Sequence, residues 1–106
     1  MVEILLCGDP HGVFEPILDA VAHRPPDMVV LLGDLDLPGP MHQVLAPVIT
    51  AGVPIRWIYG NHDAQGTGWW AHLWDGPESR HCLHGRVDSV AGLRLAGLGG
   101  IFERGV

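Results

Sequence analysis

Three short polar motifs in this sequence could hold a metal ion. The motif GDPHG (residues 8–12) places Asp9 two residues before His11, and GD (33–34) offers a second carboxylate, Asp34. The motif GNHD (60–63) adds an amide, an imidazole and a third carboxylate. Mixed oxygen and nitrogen ligands of this kind suit Mn, Fe or Zn rather than copper or a thiolate-bound metal. The candidate ligands are Asp9, His11, Asp34 and Asn61.

Each motif follows an apolar, strand-like segment, and this context separates the motifs from ordinary polar turns. The strand-like segments are residues 2–7, 28–32 and 55–59, with helix-like segments 13–23 and 41–51 between them. This alternation predicts parallel strands joined by right-handed crossovers. Ligands of open α/β sheets bind at the carboxyl ends of the strands. We therefore expect the three motifs to share one edge of a sheet.

The remaining segments complete an α/β prediction with a mainly parallel sheet and a C-terminal β-hairpin. The first two strands, as continuous apolar runs, are predicted to be buried on both faces. Pro47 implies a kink or two short helical turns in segment 41–51. Residues 86–90 and 93–98 are predicted to pair as a hairpin across Ala91 and Gly92.

An aromatic segment, GWWAHLWDGP (68–77), lies between the last motif and the hairpin and is predicted to form one or two helical turns. Its tryptophans could line a pocket, because indole rings stack on bases. Packing in the core or at an interface is the interpretation we favour for Trp69, Trp70 and Trp74.

Composition narrows the class of protein. The chain has 106 residues, of which 47% are hydrophobic and 17% charged, as expected for one folded domain. Its net charge of −6, without a basic cluster, argues against a stable complex with nucleic acid. No apolar run approaches the roughly 18 residues of a membrane helix. With no basic leader and only Cys7 and Cys82 as cysteines, we expect a cytoplasmic protein.

GDPHG, GD and GNHD, in this order, resemble the first three motifs of the calcineurin-like metallophosphoesterases, and the resemblance spans nearly the whole chain. It implies a metal-dependent hydrolase of phosphomonoesters or phosphodiesters, with an αββα sandwich that holds two metal ions. Residues 1–106 would form the N-terminal half of that sandwich. A C-terminus that ends in GLGGIFERGV suggests a domain truncated in mid-fold.

The resemblance also implies roles for individual residues. Asp9 and His11 would bind the first metal, Asp34 would bridge both metals, and Asn61 would bind the second. The catalytic residues would be His62, near the leaving-group oxygen, and Asp63, which would orient His62. Imidazole suits this task because it exchanges protons near neutral pH.

Two departures from the family pattern limit what we expect. The family continues with a further histidine and a Gly-His-x-His motif, and neither follows residue 63 here. His81 and His84 precede the hairpin and are interpreted as structural. Many relatives carry an acidic residue three positions after the aspartate of GD. Here that position is Leu37, with Asp36 one position earlier, which leaves the surroundings of the ligands open.

The missing ligands make a complete binuclear centre doubtful, so we expect one weakly bound ion or none. Activity of these 106 residues is therefore left open. The alternative is a non-catalytic scaffold or interaction module that keeps the phosphoesterase fold. A nucleotide-binding domain is disfavoured, because no Gly-x-Gly-x-x-Gly or Walker loop follows the first strand. An uncovered apolar face or sheet edge predicts a homo-oligomer.

Overall fold

A three-stranded parallel sheet organises the N-terminal part of the chain. The computed structural model describes residues 1–64 and 68–100. Strands β1 (Ile4–Cys7), β2 (Met28–Leu32) and β3 (Ile55–Ile58) lie in the order β1-β2-β3. Cys7 is in register with Leu31, and Leu31 with Trp57. The three carboxyl ends are therefore nearly level, and the loops that follow them meet at one edge.

The helices pack on one face of this sheet. Helix α1 spans Glu15–His23, α2 spans Met41–Val44 and α3 spans Ala46–Thr50. Leu45 separates α2 from α3, so of the two predicted alternatives, a kink or two short helical turns, the structure has the second. Pro47 lacks an N–H and its ring would clash with a carbonyl one turn earlier, so a continuous helix cannot pass through it.

The two faces of the sheet belong to different hydrophobic clusters. One face packs against the helices and contains the main core, which includes Cys7, Val29, Leu31, Ile55 and Trp57. The opposite face contributes Met28 and Val30, which pack against Val90 of the C-terminal hairpin. Side chains alternate between the faces of a strand, so β1 and β2 contribute to both clusters, whereas β3 contributes to the main core.

The hairpin is formed by β4 (Arg86–Val90) and β5 (Leu93–Gly97), which pair antiparallel. Its two-residue turn has φ values of 51° at Ala91 and 81° at Gly92. Positive φ at both positions is characteristic of the type I′ turn, whose twist matches that of the flanking strands. The aromatic segment forms helix α4 (Trp69–Trp74), followed by a 3₁₀ helix (Pro77–His81).

The prediction that the first two strands are buried on both faces is wrong at their carboxyl ends. Leu6 in β1 is 62% exposed and Leu32 in β2 is 42% exposed. The hairpin packs on Met28 and Val30 but leaves this end of the face open. β1 is also an edge strand, since only β2 pairs with it among the described residues.

The fold class is confirmed as mixed α/β with a parallel sheet and a C-terminal antiparallel hairpin. The interpretation of the C-terminus as cut in mid-fold concerns a segment whose residues 101–106 lie outside the described part of the chain. Across residues 1–64 and 68–100, every helix is too short or too polar to span a bilayer.

Candidate metal centre

The loops after β1 and β2 run side by side at the carboxyl edge of the sheet. The backbone N–H of His11 donates to the carbonyl oxygen of Asp34 at 3.0 Å, and that of Gly12 to Leu35 at 2.8 Å. These bonds place the GDPHG loop directly on the GD loop. Backbone hydrogen bonds therefore join these two motifs directly.

Two glycines allow the loop after β3 to approach equally closely. A Cβ atom on Gly33 would lie 2.9 Å from the backbone nitrogen of Gly60, and Gly33 has a φ of +99°. A Cβ atom on Gly60 would overlap the carboxylate of Asp34. Only glycine fits at these positions without displacing the loops that carry the candidate ligands.

Unusual backbone conformations are concentrated in these loops. Five described residues other than glycine have φ in the left-handed region, and four of them are Asp9, His11, Asp34 and Asp36, with φ between 47° and 50°. Such conformations cost free energy and persist where the surrounding structure holds them in place. Aspartate and histidine tolerate them better than most residues. This concentration marks the loops as a built site.

Asp9, His11 and Asp34 come together as the sequence predicted. One candidate ligand atom from each of the three side chains lies within 4.8 Å of the other two. Asp9 and His11 are exposed and Asp34 is half-buried, so the group is open to solvent from one side. A set of two carboxylates and one imidazole fits a hard or borderline divalent cation such as Mn, Fe or Zn.

Asn61 lies in the same cluster of loops. Its neighbour His62 donates its backbone N–H to Asp34 Oδ1 at 2.9 Å, which ties the GNHD loop to the GD loop. Asn61 is half-buried, and its backbone carbonyl accepts a hydrogen bond from Ala64. The loop that carries Asn61 is thus fixed against the loop that carries Asp34.

Asp36 links the two imidazoles of the site. Its Oδ2 lies 2.9 Å from His11 Nδ1, and its Oδ1 lies 3.0 Å from His62 Nδ1. A carboxylate accepts hydrogen bonds, so both histidines present Nδ1–H to it. In the neutral ring this leaves Nε2 with a free lone pair, the form in which histidine binds a metal. Asp36 therefore selects a useful tautomer for His11.

Charge coupling within this group shifts two pKa values. The pKa of His11 is raised, first by its hydrogen bond to Asp36 and then by the negative charges of Asp36, Asp34 and Asp9, while desolvation opposes the rise. Burial disfavours the ionised form of Asp36, but hydrogen bonds from His62 and His11 outweigh it and lower its pKa. Asp36 is only 8% exposed, and both of its carboxylate oxygens have an imidazole nitrogen as hydrogen-bond partner.

The predicted orienting role of Asp63 is not what the geometry shows. Asp63 is fully buried, and its Oδ1 accepts the backbone N–H groups of Leu35 at 2.8 Å and Asp36 at 3.1 Å. Its Oδ2 accepts the N–H of Gly60 at 2.8 Å. The Asp63 carboxylate therefore holds the backbone of the two loops through three hydrogen bonds. The carboxylate beside the His62 ring is that of Asp36.

Asp36 is the site residue that sequence reasoning missed. Leu35 and Leu37 are both fully buried in the core. The chain alternates apolar and acidic residues here, and that pattern directs Asp36 away from the core. This alternation was the sequence signal that could have identified Asp36. Leu37, at the position that is acidic in many relatives, packs in the core instead.

Trp69 contacts the His62 ring, and the later histidines His81 and His84 have hydrogen-bond partners of their own. Trp69 stacks on His62 with ring centroids 5.3 Å apart and an angle of 26° between the planes. His81 Nδ1 contacts Glu78 Oε2, and His84 Nδ1 accepts the backbone N–H of Gly99 at 2.8 Å. The last two contacts match the structural roles predicted for these histidines.

Comparison with known proteins identifies relatives of the chain. The family model for calcineurin-like phosphoesterases matches residues 2–103. The chain is similar to an uncharacterized protein of Haemophilus influenzae, with 32% identity over 100 residues. That match covers 94% of this chain and 43% of the relative, so the chain spans less than half the length of this curated relative. No solved structure matches the chain significantly.

Proposed function

The chain belongs to the calcineurin-like phosphoesterase family, and on that premise we propose that it binds a divalent metal ion and hydrolyses phosphoesters. Metal dependence and hydrolysis are properties of the family. The metal ligands we propose are Asp9, His11, Asp34 and Asn61. The observation that carries the proposal is the convergence of Asp9, His11 and Asp34 within 4.8 Å at the carboxyl edge of a parallel sheet.

Asp36 and Asp34 would have different roles beside a bound ion. When bound, a divalent ion supplies Lewis-acid chemistry at a phosphoryl oxygen. Asp36 accepts a hydrogen bond from His11 Nδ1, so Nε2 of the neutral ring is the nitrogen that would bind the ion. Asp34 Oδ1 accepts a hydrogen bond from the backbone N–H of His62, which positions the GNHD loop.

His62 is the proposed catalytic residue. Its side chain is 42% exposed, so a substrate can reach it. Asp36 accepts a hydrogen bond from Nδ1 and fixes the orientation of the ring. Nε2 then faces away from Asp36, and in the doubly protonated form of the ring the Nε2 proton would pass to the leaving-group oxygen, which leaves the neutral ring with its proton on Nδ1. In this proposal Asp63 supports catalysis through the backbone of the site.

A non-catalytic scaffold or interaction module is the second candidate. Among the described residues, two groups of three carboxylate or imidazole side chains converge and share His11, which makes five side chains in all, with Asn61 in the neighbouring loop. Two octahedral ions would need about six donors each. This shortfall favours one weakly held ion, and it supports the proposal that residues 1–106 form only the N-terminal part of a longer phosphoesterase domain.

Hydrolysis of p-nitrophenyl phosphate and of bis(p-nitrophenyl) phosphate, with added Mn²⁺, tests the proposal. We expect turnover that Asp34→Ala abolishes, with Asp19→Ala, an exposed position on α1, as the matched control. The preferred ester distinguishes a phosphatase from a phosphodiesterase. Folded protein without turnover of either ester would contradict the enzymatic proposal and favour the scaffold.

Location and partners are also proposals. Cys7 and Cys82 are free thiols, which suits the reducing cytoplasm. The acidic net charge of −6 disfavours nucleic acid as a stable partner. The exposed side chains of Leu6 and Leu32, beside the open edge of β1, support self-association through this face.

A further inference from the structure

An aromatic recess of about 290 Å³ lies at the end of the third strand of the sheet, where the chain enters the GNHD motif. Tyr59, Trp70, Trp74 and His84 form its walls, with Cys82 and Arg86 also in the lining. We call this feature the aromatic recess. It is bounded by the end of β3, by α4 and by the start of the hairpin.

The walls of the recess present ring faces and edges to solvent. Tyr59 contacts Trp70 edge-on at a centroid distance of 5.1 Å and lies 5.0 Å from His84. Trp70 and Trp74 are each 40% exposed, although both pack against neighbouring rings. The core therefore leaves much of these indoles uncovered, and an exposed aromatic surface of this kind is suited to stacking with a planar ligand.

The recess and the candidate catalytic residue are joined by one short stretch of chain. Only Gly60 and Asn61 separate Tyr59 from His62. On α4, Trp69 stacks on His62, and the next residue, Trp70, contacts Tyr59. The segment that carries His62 and the wall of the recess are therefore linked through α4 as well as along the chain, which is the basis for placing the remainder of a bound phosphoester in the recess.

Charge indicates which kind of aromatic ligand fits. Aromatic walls also bind organic cations, usually with help from a carboxylate. The described residues that line the recess include Arg86 and no Asp or Glu, although the chain as a whole carries a net charge of −6. A neutral or anionic planar group is therefore favoured over a cationic one.

We propose that the aromatic recess binds the base or aryl group of the phosphoester substrate, which makes nucleotides and aryl phosphoesters the preferred substrate class. This inference rests on the proposed function, since it assigns specificity to the same site. Stacking on Trp70 and Tyr59 would hold the leaving group while the phosphoryl group lies near Asp34 and His62.

A pair of substrates with the same kind of leaving alkoxide tests the inference. Adenosine 5′-monophosphate and ribose 5-phosphate are both primary alkyl phosphates, and they differ by the base. We expect kcat/KM for the nucleotide to exceed that for the sugar phosphate by about tenfold or more. In Trp70→Leu the ratio should fall towards one while turnover of ribose 5-phosphate persists. Ile49→Ala, an exposed position on α3, is the control and should keep the wild-type ratio.

Binding of adenosine, which carries no phosphate, separates this inference from the proposed function. We expect saturable quenching of tryptophan fluorescence by adenosine without added metal, weakened about tenfold in Trp70→Leu. Quenching without turnover of any ester would support the recess and contradict the hydrolase proposal. Equal turnover of both esters, or no quenching of the wild-type protein at millimolar adenosine, would overturn the inference.

Discussion

Asp36 and Asp63 show how single carboxylates can organise a site without being its predicted ligands. Asp36 contacts the rings of His11 and His62, and Asp63 binds three backbone N–H groups. Asp36 orients the two imidazole rings, and Asp63 positions the backbone of the loops. Both are buried, so the exposed ligands depend on groups that solvent barely reaches.

Removal of the Asp63 carboxylate should destabilise the whole fold. Asp63→Ala would leave the buried N–H groups of Leu35, Asp36 and Gly60 without their acceptor, at a cost of about 3 kcal/mol in the free energy of unfolding. Urea denaturation measures this change. Asp19→Ala should stay within about 0.5 kcal/mol of wild type. Equal stability of the two variants would contradict the structural role of Asp63.

At the scale of residues, sequence could predict which motifs converge but not how each carboxylate is used. Asp9, His11 and Asp34 were predicted from their positions after the first two strands, because parallel strands end at one edge. Asp36 contacts the imidazole rings from a loop in which both Asp34 and Asp36 have left-handed φ values. No local pattern reveals those φ values, which tertiary hydrogen bonds hold in place.

At the scale of elements, the strand and helix pattern was predictable, and the split between α2 and α3 followed from Pro47. The hairpin followed from its Ala91-Gly92 turn. The position of the hairpin on the Met28 and Val30 face was not predictable, because it depends on packing between distant segments.

An ion pair also joins β3 of the sheet to β4 of the hairpin. Arg56 Nε donates to Asp88 Oδ2 at 2.7 Å, and the Arg56 side chain is largely buried. The hydrogen bond and charge of Arg56 lower the pKa of Asp88, against a smaller opposing effect of desolvation. A carboxyl group whose pKa is lower in the folded state stabilises the fold above its unfolded pKa and loses this contribution as the pH falls.

The stability of wild type relative to Asp88→Asn should therefore depend on pH. At neutral pH, we expect wild type to have the higher Tm, and the difference should shrink between about pH 5 and pH 3 as Asp88 is protonated. Thermal unfolding followed by circular dichroism at a series of pH values measures it. A Tm difference that stays constant across this range would show that the ion pair does not couple hairpin and sheet.

At the scale of the whole molecule, residues 1–64 and 68–100 leave the β1 edge of the sheet unpaired and part of one face exposed. Leu6 in β1 is 62% exposed, and Leu32 lies near it on the same sheet. An unpaired strand edge with exposed leucines is a surface on which a second chain can pair. The open face and the partial set of metal ligands occur at the same end of the sheet.

Self-association through this face should be weakened by a charge at its centre. We expect Leu6→Lys to raise the dissociation constant of the oligomer by about tenfold or more, because a cation would have to be buried at the contact. Size-exclusion chromatography with light scattering, over a range of concentrations, measures the change. Ile49→Lys, on α3, is the control. Wild-type protein that is monomeric at all concentrations would contradict self-association.

The central claim is that Asp9, His11 and Asp34 form one site for a divalent cation at the carboxyl edge of the sheet. Calorimetric titration of Mn²⁺ into the metal-free protein tests it most directly. The account predicts binding of one ion per chain, weakened at least about tenfold in Asp34→Ala and unchanged in Asp19→Ala. Equal affinity in Asp34→Ala and wild type, or no binding to wild type at millimolar Mn²⁺, would contradict it.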